Sequence, residues 1–521
     1  MKVSVLTAAI LIFIGINCAF AAEIEADNSD SRAIRLTPPA PQFSDAERQA
    51  ELARRRQAVI SAMTKTNPNA VMILLSAEPR LYTGDVDYVF RQENNFYYLT
   101  MLKKAGAKLV LLPGDKETPE VLFLPKRDPA NETWNGKMYS REEAAKISGI
   151  KTVMETEEFP AFIAKLQATK ALQKTAGKTS LYLLQPLGGD GREWAQETAF
   201  AETWKNQANF QIENAQFIFW NLRLVKSPFE IKLLQHAIDI TTEAQERAMA
   251  TAGRAKMEYE VQAEVEYTFR RRNADFWGYP SIVGCGENAT TLHYEESQGA
   301  VKPGDLLLMD VGAEYDHYTA DVTRTFPVSG KFSKEQAEIY QIVYAAQEAI
   351  ARVTKPGANF QTVNAAAVEV LKNGLFKLGL ITDKNSQQYR LWFMHGTSHW
   401  LGMNVHDVGA YNNRFQAGNV FTNEPGIYIR ADALDYLPKT PENEKFIAAV
   451  RPAFEKYKNI GVRIEDDLLV TDTGCEWLTK NLPRSVADIE NIIARTRQES
   501  PAGNTAISKM NRPAATLYLP K

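Results

Sequence analysis

Residues 309–327 read MDVGAEYDHYTADVTRTFP, and this stretch places two aspartates, Asp310 and Asp321, among apolar and β-branched residues. Eleven positions separate the two aspartates, which is too far for neighbours on one strand. The spacing suits a β-hairpin whose two strands bring the carboxylates together, and residues 315–317 can form its turn. The stretch therefore predicts a hairpin that presents two carboxylates at one point.

Three further stretches contain residues of the kind that bind metals. They read HGTSHWLGMNVHD, NEPGIY and VRIEDD, and they contribute His399, Glu424 and Glu465. With the two aspartates, these residues make four carboxylates and one imidazole, a set typical of a site for two divalent cations. Oxygen-rich donors favour Mn²⁺ or Mg²⁺, and the imidazole also admits Co²⁺ or Zn²⁺. Two adjacent cations can generate hydroxide at neutral pH and polarise a carbonyl, so the sequence indicates a hydrolase.

The composition is that of a large globular protein. The chain has 521 residues, of which 24% are charged and 45% hydrophobic, and its formal net charge is −3. The length predicts two or three domains, each able to bury a substantial core. A nearly neutral chain without a long run of Lys or Arg gives no electrostatic support for nucleic-acid binding.

The N-terminus has the pattern of a secretory signal. Lys2 precedes an apolar stretch over residues 3–16, and small residues follow it up to Ala22. The apolar stretch is short for a membrane span, although an uncleaved N-terminal anchor is the alternative interpretation. We expect residues 1–22 to be a signal peptide whose removal leaves no stable membrane insertion. The protein is then exported, to a bacterial periplasm or out of the cell.

Beyond the expected signal peptide the chain contains two cysteines, Cys285 and Cys475. A single disulfide between them is one interpretation, and two buried apolar thiols are the other. Neither cysteine has a histidine at the spacing of a nucleophile and its base, so the sequence does not favour a cysteine hydrolase.

The first domain is predicted over residues 43–205, after a polar and proline-rich linker over residues 23–42. Ser44 can cap a helix that begins at Asp45. Short apolar runs then alternate with polar helical stretches, which is typical of an α/β domain with a buried sheet. The runs expected to be strands are Val71–Leu75, Leu109–Leu112, Val121–Leu124 and Leu181–Leu184.

The second domain is predicted over residues 220–497, and a polar tail follows over residues 498–521. A Ser-Pro pair at residues 227–228 indicates the start of a long amphipathic helix. The apolar spacing predicts further helices over Glu258–Arg271, Lys334–Val353 and Phe360–Leu378. Strand-like runs lie at Leu306–Val311, Val420–Asn423 and Gly461–Val470. The candidate ligands lie in or beside strand-like runs, and a sheet can hold ligands from distant parts of a chain rigidly.

These stretches resemble the motifs of a known family. Residues 310–327, 395–406, 423–428 and 461–467 resemble the proline-specific metallopeptidases of the pita-bread fold. The nearest resemblance is to the aminopeptidase P family, followed by prolidase, and FRQENNFYYLT at residues 90–100 resembles the smaller N-terminal domain of the same enzymes. The resemblance implies an α/β (α+β) fold, in which a creatinase-like N-terminal α/β domain precedes a duplicated pita-bread metallopeptidase domain.

The resemblance also implies a role for each ligand. Asp310 is expected to bind one metal, and His399 with Glu424 is expected to bind the other. Asp321 and Glu465 resemble the carboxylates that bridge both metals, with a hydroxide held between the ions. The cofactors implied are two divalent metal ions, with Mn²⁺ as the first choice and Co²⁺ or Zn²⁺ as alternatives.

Histidines near the predicted metal site are expected to act on the substrate. By resemblance, His293 and His406 flank the substrate and assist proton transfer, while His395 lines the pocket near the proline. The alternative for each is a hydrogen-bonded core histidine. The chain contains six histidines, and two others, His236 and His317, are interpreted as structural or solvent-facing.

Three more residues complete the catalytic set that the resemblance implies. Glu424 is expected to be the general base, and Tyr428 is expected to lie close to the reacting carbonyl. Arg463 lies two residues before Glu465 and so on the same face of a strand, where it can pair with a carboxylate of the metal site. For Arg324, a structural role and a role at the active site are both open.

The activity implied is hydrolysis of the bond between an N-terminal residue and a following proline, so the partners are peptides with proline in the second position. Prolidase is the alternative, because it shares the same ligands but favours dipeptides. The HWLG stretch from His399 and the long N-terminal domain favour the aminopeptidase. A non-catalytic binding protein on the same fold is a further alternative. Related enzymes are often dimers or tetramers, so a homo-oligomer is expected.

Overall fold

The computed structural model describes residues 34–168, 177–187 and 194–499, and the first domain is a mixed α/β unit. The expected signal peptide and most of the expected tail lie outside the described residues. The strands of this domain are β1 (Ala70–Leu75), β2 (Leu81–Thr83), β3 (Val86–Asp87), β4 (Lys108–Leu111), β5 (Glu120–Leu124), β6 (Thr152–Glu155), β7 (Thr179–Leu183) and β8 (Phe210–Asn214). One sheet has the order β6-β5-β4-β1-β7-β8, and β2 pairs with β3 in a separate hairpin. In the large sheet, β1 is parallel to β7 and antiparallel to β4.

The helices of the first domain surround this sheet. They are α1 (Asp45–Thr66), α2 (Asn94–Thr100), α3 (Pro129–Asn135), α4 (Arg141–Ser148), α5 (Phe159–Ala168) and α6 (Ala195–Glu202). The start of α1 is as predicted, because the Ser44 side chain accepts from the Glu47 amide and the Glu47 carboxylate accepts from the Ser44 amide. The four apolar runs predicted as strands are the central strands of the sheet.

The sheet of the first domain continues past residue 205, where the sequence indicates the end of the domain. β8 pairs in parallel with β7, with Thr179 opposite Phe210. Phe210 is buried edge-on against Trp204, with ring centroids 4.9 Å apart, but the other residues of β8 are at least partly exposed. A strand with one buried residue has no apolar run to identify it, so the sequence pattern places the boundary too early.

Within the described residues, the second domain contains the helices predicted from the sequence, at the predicted bounds, and three that were not predicted. Its helices are α7 (Gln216–Leu224), α8 (Pro228–Thr251), α9 (Glu258–Arg271), α10 (Lys334–Val353), α11 (Phe360–Leu378), α12 (Pro441–Tyr457) and α13 (Val486–Glu499). The three that were not predicted are α7, α12 and α13. Ser227 forms a capping box with Glu230 at the start of α8, and Pro228 occupies the first helical position. None of the described helices is long and apolar enough to cross a membrane.

The described strands of the second domain form four antiparallel sheets, two of which are similar three-stranded sheets with one in each half of the domain. The strands are β9 (Phe276–Trp277), β10 (Ile282–Cys285), β11 (Leu306–Val311), β12 (Ala313–Tyr315), β13 (Tyr318–Thr319), β14 (Val322–Pro327), β15 (Val420–Asn423), β16 (Gly426–Tyr428), β17 (Gly461–Arg463), β18 (Asp466–Val470) and β19 (Cys475–Trp477). One of the two similar sheets has the order β10-β11-β14 and the other has the order β15-β18-β19. Each half of the domain therefore contributes one helix pair, α8 with α9 or α10 with α11, and one of these two sheets. A further sheet has the order β13-β12-β9, and β16 pairs with β17.

The hairpin predicted around residues 315–317 is present. β12 and β13 pair across it, and both Asp316 and His317 adopt left-handed backbone conformations, with φ of 47° and 67°. His317 is buried, and its ring stacks on Tyr97 of α2 at a centroid distance of 3.8 Å. His317 is thus structural rather than solvent-facing, and the hairpin turn packs against the first domain.

One hydrophobic core joins the two domains. It contains Tyr97 and Leu99 of α2, Val322 of β14, and Leu401 with Met403 of the loop before β15. All of these side chains are nearly inaccessible to solvent. Separation of the domains would expose this surface, so burial of apolar area holds them together.

Both described cysteines are free thiols, so the disulfide interpretation is wrong. Cys285 is buried, and burial raises the pKa of its thiol to about 12. The sulfur of Cys475 lies 3.5 Å from the carbonyl oxygen of Ala351, and burial raises its pKa to about 11. Both thiols are therefore neutral near pH 7, as apolar packing groups are.

The N-terminal segment of the described chain is fixed to buried carboxylates of α8. The amide of Thr37 donates to Glu243 at 2.7 Å, and the amide of Arg35 donates to Glu246. Glu246 is 3% exposed, and burial raises the pKa of its carboxyl to about 7. The raised pKa means that ionised Glu246 costs folding free energy at high pH.

We expect Glu246→Gln to stabilise the protein above pH 7 by on the order of 2 kcal/mol, and to change little below the usual glutamate pKa. A raised carboxyl pKa contributes stability that is present below the unfolded pKa, and this contribution is lost as the pH rises through the folded value. Thermal unfolding of wild type, Glu246→Gln and the exposed control Glu444→Gln at pH 4 and pH 8 measures the difference. Equal pH profiles for wild type and Glu246→Gln would contradict the expectation.

Candidate metal centre

The two sheets of the second domain bring all five candidate ligands to one point. Asp310 lies on β11 and Asp321 directly precedes β14, while Glu424 follows β15. Glu465 occupies the break between β17 and β18, so the run predicted as one strand is in fact two. His399 is held beside β15, because its carbonyl accepts from the Thr422 amide at 3.0 Å.

Distances show that the five side chains form one cluster. Donor atoms of Asp321, His399 and Glu465 all lie within 4.8 Å of one another. His399 Nε2 is 3.2 Å from Asp321 Oδ2 and 3.5 Å from Glu424 Oε1. Asp310 joins the cluster through Tyr279, whose hydroxyl oxygen is 2.6 Å from Oδ1 of both Asp310 and Asp321.

The cluster is buried and carries more negative than positive charge. Asp321 and Glu465 are 3% and 2% exposed. Burial, reinforced by the neighbouring carboxylates, raises the pKa of Glu424 to about 7 and that of Glu465 well above its usual value. Burial disfavours the charged form of His399, but hydrogen bonding to Asp321 and the charge of Glu424 raise its pKa to about 9.

These residues fit a pair of divalent cations. Four carboxylates face one guanidinium, that of Arg463, whose Nη2 donates to Asp310 Oδ2 at 2.7 Å. Buried carboxylates in this excess need positive charge, and oxygen donors with one imidazole suit hard or borderline divalent metals. Because their pKa values are raised, the carboxyl groups of Glu424 and Glu465 retain protons in the absence of metal. Metal binding would displace these protons.

A directional hydrogen-bond chain lies beside the cluster. Arg463 Nη1 donates to the Tyr428 hydroxyl oxygen at 2.9 Å, and this hydroxyl lies 2.8 Å from His395 Nε2. His395 Nδ1 is 2.6 Å from the Gly396 carbonyl oxygen, which can only accept, so the ring proton is on Nδ1 and Nε2 accepts from Tyr428. Burial lowers the pKa of His395 to about 3, in keeping with a neutral ring. His395 Nδ1 is also 3.6 Å from Glu424, so this neutral donor borders the metal centre.

The other two predicted histidines lie at the open side of the cluster. His406 contacts His399 edge-on with ring centroids 4.4 Å apart, and its side chain is exposed. His293 is exposed, and its charge would lower the pKa of both His395 and His406, so it shares their neighbourhood. Both histidines are therefore accessible to a substrate that reaches the metal centre.

Sequence reasoning missed residues that orient the ligands. Thr323 donates to Glu465 Oε2 at 2.7 Å, and Thr422 donates to Glu424 Oε1 at 3.2 Å. Tyr279 links two aspartates, and Asp467 accepts from the Asp321 amide at 3.3 Å. Threonine and tyrosine are common in strands, so their presence does not indicate a site. The one signal in the sequence is spacing, because Thr323 and Thr422 each lie two residues from a ligand, Asp321 or Glu424, and so on the same face of the strand.

Arg324 has a structural role. Its guanidinium is inaccessible to solvent, pairs with Asp466 at 2.6 Å and donates to the Glu465 carbonyl at 2.7 Å. Arg324 therefore fixes the backbone that carries Glu465. Its Nε donates to the Pro483 carbonyl at 2.8 Å, away from the carboxylate cluster.

An N-terminal α/β domain and a buried carboxylate–histidine cluster between two similar half-domains define a metallopeptidase of the pita-bread fold. The sequence matches the family model described as metallopeptidase family M24 over residues 232–472, and that of the aminopeptidase P N-terminal domain over residues 52–174. The chain belongs to metallopeptidase family M24, in the aminopeptidase P branch.

Similar proteins extend over most of the chain. The Xaa-Pro aminopeptidase of Haemophilus influenzae is 36% identical, over 85% of this chain and 97% of that protein. The Xaa-Pro aminopeptidase of Escherichia coli is 34% identical, over 88% of this chain and 100% of that protein. The solved structure of Escherichia coli aminopeptidase P with the inhibitor Pro-Leu has a TM-score of 0.76, at 32% identity over 88% of this chain and 100% of that one. The predicted family and fold class are thus confirmed.

Divalent cations should raise the melting temperature of the wild-type protein, because they bind only where the five ligands are assembled. A ligand at 100 times its Kd adds about 2.7 kcal/mol to the free energy of unfolding. We expect Asp321→Asn and Glu465→Gln to lose most of the shift produced by Mn²⁺, whereas the exposed control Asp432→Asn keeps it. Thermal unfolding with and without Mn²⁺ measures the effect, and an undiminished shift in both variants would refute the ligand assignment.

Cation affinity should fall as the pH is lowered from 8 to 6. Glu424, with a pKa of about 7, and His399, with a pKa of about 9, must both lose protons to bind metal. Below pH 7 each displaced proton weakens binding by about tenfold per pH unit. Titration calorimetry in buffers of different ionisation enthalpy counts the protons released, and Glu424→Gln should release fewer. Affinity that does not change with pH would contradict the expectation.

Proposed function

We propose that the protein removes the N-terminal residue from peptides that have proline in the second position. The observation that carries this proposal is the cluster of Asp310, Asp321, His399, Glu424 and Glu465 together with accessible His293 and His406, in a chain of the aminopeptidase P branch. Relatives named Xaa-Pro aminopeptidase match this chain over nearly their whole length.

Two divalent cations, with Mn²⁺ first, are the proposed cofactors. Asp310, Asp321, Glu465, His399 and Glu424 would hold them, and the oxygen-rich donor set supports Mn²⁺, with Co²⁺ or Zn²⁺ as alternatives. When bound, such a pair supplies Lewis acidity toward the scissile carbonyl and lowers the pKa of water, so that a nucleophile exists at neutral pH.

Glu424 is the proposed general base. Its carboxylate lies between His399 at 3.5 Å and His395 at 3.6 Å, and it is partly exposed to solvent. A carboxylate in this position can accept a proton from the attacking water and return it to the departing nitrogen. That nitrogen belongs to the proline ring, whose fixed shape a pocket can select.

The histidines and Tyr428 bind and orient the substrate. His395 is neutral, and its hydrogen bonds to Gly396 and Tyr428 fix its ring beside Glu424 without adding charge. His406 and His293 are exposed beside the cluster, where either can donate to the carbonyl oxygen as negative charge develops on it. Arg463 holds Asp310 and Tyr428 at once, so it fixes the metal ligand relative to the pocket.

An X-Pro-Y tripeptide should lose its first residue faster than an X-Pro dipeptide does, and only with a divalent cation present. A tripeptide with alanine in the second position is the matched control. Release of the free amino acid, measured with and without Mn²⁺ and a chelator, distinguishes the interpretations. Dipeptide-only cleavage would show a prolidase instead, and no cation-dependent release from either peptide would favour a binding protein.

We further propose that the protein is exported and forms homo-oligomers. The basic residue, apolar stretch and small residues of positions 1–22 support export to a periplasm or out of the cell. Expression of the whole chain in a bacterial host should give a soluble periplasmic product that begins after Ala21 or Ala22, as N-terminal sequencing can establish. A full-length product in the membrane fraction would instead show an uncleaved anchor.

A further inference from the structure

Arg91 of the first domain contacts two separate parts of the second. Its Nε lies 2.9 Å from Glu314 of β12, and its Nη2 donates to the Met403 carbonyl at 2.8 Å. Its remaining nitrogen, Nη1, donates to Asn94 at 3.0 Å. The guanidinium therefore ties the β12–β13 hairpin to the loop that precedes His406.

Asn94, the first residue of α2, makes the same connection three positions further along the chain. Its side-chain Nδ2 donates to Asn404 Oδ1 at 2.8 Å, and its Oδ1 lies 3.2 Å from His317 Nδ1. The hairpin and the loop also bond to each other directly, since the Thr319 amide donates to the Gly402 carbonyl at 3.0 Å. Residues 402–404 are thus fixed from two sides before the chain reaches His406.

A second anchor from the first domain lies just after His406. Asn95 accepts from Arg223 Nη1 at 2.8 Å, and the other end of this guanidinium pairs with Asp407. Lys226 Nζ is 3.5 Å from the same carboxylate, and the three charged side chains are buried. A buried carboxylate between two cations has a sharply defined position, so the backbone at Asp407 is fixed as well.

His406 itself is an exposed side chain on a loop, and its placement depends on these two anchors. The ring contacts His399 at a centroid distance of 4.4 Å, which places it beside the metal centre. A displacement of about 1 Å in a group that acts on the transition state can lower a rate a hundredfold. We propose that Arg91, aided by Asn94 and Asn95, is a positioning residue for His406, so that the first domain contributes to the catalytic geometry through its contacts with the second.

The kinetic test rests on the proposed function and uses the cation-loaded protein with an X-Pro-Y tripeptide. Arg91 is partly exposed, so Arg91→Ala should fold. We expect kcat to fall about tenfold with KM within twofold of wild type, and Arg91→Lys to recover only part of the loss because an ammonium lacks the planar fork. Arg127→Ala, which removes an exposed pair with Glu132 on the same domain, is the control and should keep wild-type kcat.

A double-mutant cycle separates positioning of His406 from general damage. If Arg91 acts through His406, then Arg91→Ala combined with His406→Ala should be no slower than His406→Ala alone. Additive losses, an unchanged kcat in Arg91→Ala, or full activity in His406→Ala would each overturn the proposal. A lower melting temperature with kcat unchanged would show a merely structural residue and would overturn it too.

A spectroscopic readout does not depend on turnover. In protein labelled with ¹⁵N-histidine, with His406 assigned through His406→Ala, the Arg91→Ala variant should shift the ring signals of His406 and leave those of His293 in place. Unshifted His406 signals would overturn the proposal even if no peptide is cleaved. Absent turnover in wild type with shifted His406 signals would instead refute the proposed function alone.

Discussion

The structure depends on the burial of four carboxylates against one another. Asp310, Asp321, Glu424 and Glu465 come from four separate strand ends, and their mutual repulsion in a desolvated site opposes folding. The surrounding structure offsets part of that cost with Arg463, with His399 and with hydroxyl donors such as Thr323. Two antiparallel sheets, each supported by a helix pair, supply a framework stiff enough to hold like charges at this spacing. The negative charge of the cluster therefore has two effects: it destabilises the folded protein, and it binds cations.

The first domain is part of this framework rather than an appendage. Its α2 helix stacks Tyr97 on the hairpin turn at His317, and Lys103 bonds to Asp275 and Asp316 at 2.9 Å and 2.8 Å. These contacts reach the β12–β13 hairpin, which Asp321 follows directly in the chain. A shared hydrophobic core then makes the interface apolar in its centre and charged at its edge. The arrangement resembles an interior more than a junction between independently moving bodies.

Much of this could be predicted from the sequence, because the informative residues are chemically unusual. Acidic residues within or beside apolar runs identified the carboxylate ligands, a histidine-bearing motif identified His399, and strong 3.6-residue periodicity gave the bounds of the helices that were predicted. The turn at residues 315–317 followed from the spacing of two aspartates alone. Prediction failed where one residue type serves many purposes. Tyr279 and Thr323 look like ordinary strand residues, and the partly exposed β8 lacks an apolar run. The break between β17 and β18 could not be seen either, since both sides of Glu465 continue the same pattern.

Tyr279 shows how the cluster can change charge without changing shape. A phenol has one proton, yet its oxygen lies 2.6 Å from a carboxylate oxygen of Asp310 and also from one of Asp321. Two contacts this short among three oxygens require two protons, and burial raises the pKa of both Tyr279 and Asp321, so each can retain one. The same three oxygens can instead share the field of a cation. A metal ion can therefore replace a proton among the oxygens of Tyr279, Asp310 and Asp321. The positions of these side chains need to change little when it does.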